Sequence, residues 1–183
     1  MILDIIMKRR SVFPAQYNDK PIAKELIEKV LEAGNWAPSH KKTEPWRFKV
    51  IQGETRAKLG MFLSLKYMEN DPKPKQFKVE KLINNPQKAG AIIAICMQRD
   101  PNESVPEWEE VAATAMAVQN MWLTCTDLGI GSYWSSPGLV KYMGEFFAME
   151  EGEVCLGFFY MGYSDDELPE ATRGAVEDKT VWL

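Results

Sequence analysis

An unbroken apolar run, Ala91-Ile92-Ile93-Ala94-Ile95-Cys96-Met97, constrains this chain more than any other feature. It is too short for a typical helix and too uniformly apolar for a strand with one wet face. A buried strand fits. Helical and strand patterns surround it. Ile2 to Lys8 predicts a short helix. Pro21 opens an amphipathic helix in which Ile22, Leu26, Val30 and Ala33 fall at helical spacing and Gly34 is the stop. Trp46, Phe48 and Val50 alternate with Arg47 and Lys49, as in a half-buried strand. Helical patterns return over Thr55–Tyr67 and over Gln76–Asn84, where Pro86 ends the second. Asp71-Pro72-Lys73-Pro74 between them reads as a loop.

Glu107 to Leu128 is the longest helical pattern, with acids at its start. Ala112, Ala113, Ala115 and Ala117 make its first half thin, so another helix or a second copy can approach closely. Ser132–Ser135 reads as a short strand, Leu139–Met149 as a helix and Val154–Tyr160 as a second apolar strand. The closing residues lack a helical period and end in the β-prone Thr180-Val181-Trp182-Leu183. This order predicts one mixed α/β domain over residues 1–183.

Composition excludes several classes. At 183 residues with 45% hydrophobic and 26% charged, the chain can bury a core and is neither disordered nor fibrous. Its net charge of −4 argues against a general nucleic-acid binder. Three scattered cysteines form no CxxC pair, and a single histidine, His40, excludes His-rich metal sites. No apolar run is long enough to span a membrane, and the first residues place apolar before basic, the reverse of a secretion signal. A reduced, cytoplasmic setting is the expectation.

Charge is uneven along the chain. Residues 1–60 carry 12 Lys/Arg and 7 Asp/Glu, whereas residues 61–183 carry 10 and 19. A basic first third suits an anion such as phosphate. Within it, Arg9-Arg10-Ser11 offers two guanidinium forks and a hydroxyl. Trp36, Ser39, His40, Lys41, Lys42 and Trp46 bring aromatic surface and donors to a loop stiffened by Pro38 and Pro45. Trp134, Ser135 and Ser136 add an aromatic and hydroxyls near a turn, and Arg173 is a cation in the tail. Gly129-Ile130-Gly131 follows a helix and lacks a third glycine, which disfavours a Rossmann fingerprint.

Taken in order, these pieces resemble the flavin-dependent nitroreductase family. Its R-R-S motif corresponds to Arg9-Arg10-Ser11, and its A-G…A-P-S segment to Ala33-Gly34-Asn35-Trp36-Ala37-Pro38-Ser39. P-W-R-F is Pro45-Trp46-Arg47-Phe48, G-x-G is Gly129-Ile130-Gly131, and the late G-Y is Gly162-Tyr163. The resemblance implies an α+β, nitroreductase-like sandwich with a small mixed sheet flanked by helices. It implies a homodimer with FMN at the subunit interface and the C-terminal segment exchanged between subunits. It further implies ping-pong transfer of two electrons from NADH or NADPH through flavin N5 to a nitroaromatic, quinone or similar acceptor. Arg9, Arg10, Ser11 and Arg173 would then serve the phosphate and ribityl end. Trp36, Ser39, His40 and Lys42 would approach from the other subunit, and Trp134, Ser135 and Ser136 would line the flavin pocket. No side chain is required as a dedicated catalytic base. The chain departs from the family pattern at Phe13, His40, Lys42 and Glu44. A flavin carrier, a dehalogenating or flavin-fragmenting enzyme, and a flavin-free structural dimer are the rival readings.

Overall fold

In the computed structural model, which describes residues 1–183, the apolar run is the second strand of a four-stranded sheet. The elements in chain order are α1 (Ile2–Lys8), α2 (Lys24–Asn35), β1 (Trp46–Ile51), α3 (Glu54–Asn70), α4 (Gln76–Lys88), β2 (Ala91–Gln98), α5 (Glu107–Asp127), β3 (Gly131–Ser135) and β4 (Glu153–Gly162). Sheet order is β1-β2-β4-β3 and every strand pairing is antiparallel. The expected mixed character reduces to one isolated parallel bridge, Ser11 to Ser132.

Burial along β2 follows from its two covered faces. Ala91, Ile93 and Ile95 pack with Ile27 and Val30 of α2 and Val118, Met121 and Cys125 of α5. Ile92, Ala94 and Cys96 face the opposite way, towards Leu59 and Leu63 of α3 and Met143 beyond β3. The result is a sheet between two helical layers, as the family resemblance implied. Burying a Leu, Ile, Val, Phe or Met side chain contributes about 1.5–3 kcal/mol. The three cysteines are buried free thiols, and no helix is long and apolar enough to cross a membrane.

Several local expectations are corrected. Pro21 precedes α2 instead of opening it, because Ala23 is the cap and Ile22 is already buried against the sheet. Gly34 lies inside α2, not after it. A Cβ there would stand 3.0 Å from Met121 Cγ and 3.3 Å from the Phe48 ring, so the glycine is needed for close approach of α5 and β1. Pro86 does not stop α4, which continues to Lys88. The Gln87 side-chain amide donates to the Ile83 carbonyl at 3.0 Å, a bond to the backbone of the preceding turn beside the proline. Residues Gly138–Glu145 form a 3₁₀ segment instead of an α-helix, and Glu177–Lys179 form a short 3₁₀ turn in the tail. On β1, Val50 is exposed and Ile51 buried, since β1 is an edge strand covered at its ends only.

Edge strand β1 also carries Lys49, whose ammonium lies 2.6 Å from the buried Glu153 carboxylate across β2. Burial alone would raise the Glu153 pKa. Lys49 and the Glu150 N–H, which donates at 3.0 Å, outweigh it and hold the carboxyl below its ordinary value. A depressed folded pKa means that this stabilisation is complete above the ordinary carboxylate range and is lost as pH falls through the folded value. Glu153→Gln is therefore expected to flatten the acid limb of the stability–pH curve below about pH 4.3. Urea unfolding at pH 3 and pH 6 checks it; an unaltered slope would refute the assignment.

Candidate active site

The chain leaves α1 through Arg9, whose N–H bonds the Ile5 carbonyl, and then runs extended beside β3. Val12 N–H donates to the Ser132 carbonyl at 3.1 Å. This stitch sends neighbouring side chains in opposite directions. Arg9 and Ser11 line a cavity of about 630 Å³ together with Gln119, Trp122 and Arg173. Arg9 lies over the Trp122 ring, 4.6 Å from its centroid, and the ring is held edge-on to Phe159. Trp122 Nε1 donates to the Arg10 carbonyl at 3.2 Å, which fixes the platform under Arg9.

No carboxylate pairs with Arg9 or Arg173. Burial, then the like charges of Arg173 and Arg10, lower the Arg9 pKa, the direction expected where cations converge without a counter-ion. Such a pair of forks is a receptor for a polyoxygen anion.

Arg10 does not join this cavity. Its Nε donates to the Pro169 carbonyl at 2.7 Å and its Nη1 to the carbonyls of Met7 (2.7 Å) and Arg9 (3.0 Å). The sequence pairs Arg9 with Arg10; the fold pairs Arg9 with Arg173 and uses Arg10 to tie the tail to α1.

The second group sits on the loop between α2 and β1. Lys41, Lys42 and Glu44 have φ of 52°, 56° and 44°, three left-handed residues with side chains, interrupted by right-handed Thr43. Each such residue costs about 1–2 kcal/mol, so the surroundings must hold the loop. His40 Nδ1 lies 2.5 Å from Glu109 Oε2, Lys41 Nζ donates to the Ser104 carbonyl at 2.7 Å, and Glu44 N–H donates to Ser39 Oγ at 3.3 Å. Lys42 is exposed. Trp36 is 78% exposed, its indole N–H donating to Glu32 at 2.7 Å.

The third group closes β3. Trp134 Nε1 donates to the Leu156 carbonyl at 3.4 Å, where β4 bulges opposite the Ile95–Cys96 step. Gly157, at φ +153°, is obligatory there: a Cβ would stand 2.2 Å from Trp134 Nε1. Ser135 is half-buried and Ser136 exposed.

Within one chain the groups are not united. His40 meets α5 at Glu109 and Arg9 meets it at Trp122, thirteen residues on, about 20 Å along the helix axis. Sequence reasoning missed Gln119, Trp122 and Gly157. Gln119 and Trp122 are three apart on α5 and so share a face, a signal that was readable. The Gly157 signal appears only once the strands are paired.

An α+β sandwich thus carries a cavity with two guanidinium groups, a hydroxyl and one aromatic wall, a donor set that suits an anion. The sequence profile of the nitroreductase family matches residues 6–163, and the chain belongs to that family of oxidoreductases. It is 29% identical over 183 residues to YdjA of Escherichia coli strain K12, named as a candidate NAD(P)H nitroreductase, covering 99% of this chain and 97% of that one. It is 27% identical over 182 residues to YfhC of Bacillus subtilis strain 168, named in the same way, covering 98% and 92%. The crystal structure of a nitroreductase-like family protein from Bacillus cereus superposes with a TM-score of 0.87 at 28% identity, covering 100% of this chain and 96% of that chain. A protein from Desulfovibrio desulfuricans, named as a candidate nitroreductase and crystallised in complex with FMN, shares the fold at a TM-score of 0.74 and 23% identity, covering 96% of this chain and 93% of that chain.

Proposed function

We propose that this chain binds FMN and, as a homodimer, moves two electrons from NADH or NADPH to a small acceptor of nitroaromatic or quinone type. The observation that carries this reading is the cavity in which Arg9 and Arg173 converge without a carboxylate. The donor set fits the group: two guanidinium forks and the Ser11 hydroxyl suit a terminal phosphate, with Trp122 as the wall under Arg9. The ring end fits the aromatic and donor groups of the other two clusters. Bound FMN supplies hydride and electron transfer between nicotinamide and acceptor. The chain's own residues then have separate duties. Arg9, Ser11 and Arg173 hold the phosphate, and Arg10 secures the tail that delivers Arg173. Trp134, Ser135 and Ser136 bound the pocket beside β3. Trp36, Ser39, His40 and Lys42 come from the second subunit, with Lys42 offering positive charge to the ring's electron-rich edge.

Dimerisation is supported by apolar surface that nothing covers in one chain. Trp108 (68% exposed), Val111 and Met116 lie along the outer face of α5, α1 has no buried residue, and Trp182 at the tail is 93% exposed. Patches of this kind mark association surfaces. The open edge of β1 and the β-prone Thr180–Leu183 suit strand addition between subunits. A two-fold pairing brings the Glu109 end of one α5 to the Trp122 end of the other, joining both halves of the site.

The purified protein is expected to be yellow or to take up added FMN, and its visible bands to bleach when NADH or NADPH is added without oxygen. A colourless protein that binds no added FMN would sink the cofactor reading. A yellow protein that neither nicotinamide bleaches would favour a carrier.

A further inference from the structure

We propose that Glu109 is a positioning residue which, through His40, fixes the direction of the Lys42 ammonium in the candidate flavin site; this rests on the FMN reading above. The loop cannot hold its shape alone, because Lys41, Lys42 and Glu44 all occupy the left-handed region without a glycine among them. Its internal bonds are weak, at 3.3 Å from Thr43 N–H to the His40 carbonyl and 3.3 Å from Glu44 N–H to Ser39 Oγ. The short ties come from outside. The two shortest are His40 to Glu109 at 2.5 Å and Lys41 to the Ser104 carbonyl at 2.7 Å, while Arg47 of β1 donates to the Glu44 carbonyl at 3.0 Å.

The two shortest ties end on α5 and the loop that leads into it. Ser104 belongs to the loop before α5, where the Asp100 carboxylate accepts from the Ser104 N–H at 3.0 Å and from its hydroxyl. That loop is anchored by Glu110, which pairs with Arg99 and accepts from the Asp100 N–H at 3.0 Å. Glu109 and Glu110 are neighbours on α5, so one turns inward to hold the 99–105 loop while the other holds His40. With His40 and Lys41 committed to this clamp, Lys42 is the loop cation left without a carboxylate or carbonyl partner. Releasing His40 frees Lys41, Lys42 and Glu44 to relax from the left-handed region, and the ammonium loses its aim.

The test compares the midpoint potential of bound FMN in the wild type, Glu109→Gln, His40→Gln, Lys42→Ala and the Glu109→Gln/Lys42→Ala double variant. A cation held near the flavin favours the reduced state, so losing it should weaken binding of reduced relative to oxidised FMN about tenfold, or about 30 mV for a two-electron couple. All three single variants should fall by about that amount, and the double variant no further than Lys42→Ala. A carboxylate acting only through its own charge would give the opposite sign, since removing it raises the potential. A raised or unchanged potential in both Glu109→Gln and His40→Gln, with FMN retained, overturns the proposal. Two variants guard against one failing to fold. Wild-type protein that takes up no FMN would overturn the functional reading as well, so the two failures are distinguishable.

Discussion

Arg9→Ala is expected to weaken FMN binding by roughly 10- to 100-fold while leaving riboflavin binding nearly unchanged. Hydrogen bonds to a charged partner contribute about 1.5–3 kcal/mol, which is that range in affinity. Riboflavin lacks the phosphate, so a residue acting at the phosphate end discriminates between the two ligands and a residue acting on the ring does not. Removing Arg9 also exposes the Trp122 platform and leaves Arg173 as the one remaining guanidinium of the cavity. Arg10→Ala should behave differently. Its donors go to the carbonyls of Pro169, Met7 and Arg9, so its loss should loosen the tail and lower FMN affinity less than Arg9→Ala does. Quenching of flavin fluorescence measures all four combinations. Equal losses for FMN and riboflavin in Arg9→Ala, or a larger loss in Arg10→Ala, would refute the division of labour between these neighbours.

Glu110→Ala should be the most damaging single change to stability outside the sheet. The Glu110 side chain is fully buried, and its partner Arg99 is 21% exposed. Breaking such a pair on one side costs about 3–5 kcal/mol, because the remaining charge stays buried without compensation. The Asp100 N–H loses its acceptor in the same step. At about 2–4 °C per kcal/mol for a chain of this length, the midpoint of thermal unfolding should drop by roughly 6–20 °C. Replacing both partners, as Arg99→Met with Glu110→Leu, should recover much of the loss, since a matched apolar pair removes the stranded charge. Circular dichroism melts of the two variants decide it. A loss below about 1 kcal/mol in Glu110→Ala would show that solvent reaches Arg99 and relieves it.

Elements with a strong period were readable from the residues. The run at 91–97 became a strand buried on both sides, α1 and β1 fell where their patterns placed them, and α5 spans nearly the length of its helical pattern. Boundaries failed where tertiary contacts decide them. Nothing local distinguishes a glycine that ends a helix from one that admits Met121, and Gly34 is the second kind. The site divides in the same way. Residue types revealed cations, hydroxyls and aromatics, and their order revealed the family resemblance. Sequence adjacency made Arg9 and Arg10 look alike, whereas extended backbone turns consecutive side chains apart. Arg173, more than 160 residues from Arg9, was tied to it in the sequence by the family resemblance alone, since no short-range pattern reaches that far, and the folded tail brings the two to one cavity.

Because α5 separates the Glu109 contact from the Trp122 platform, in the proposed homodimer it would act as a spacer whose length sets how two protomers must fit. One residue inserted between these positions turns everything beyond it by about 100° and shifts it by about 1.5 Å. Either half-site could survive that alone, but the two would no longer face one another across the pairing axis. Length variation should therefore be tolerated in the Asp71–Lys75 connection and be forbidden inside this helix. For anyone grafting loops onto the scaffold to alter its acceptor range, the interior of α5 is the part to leave untouched.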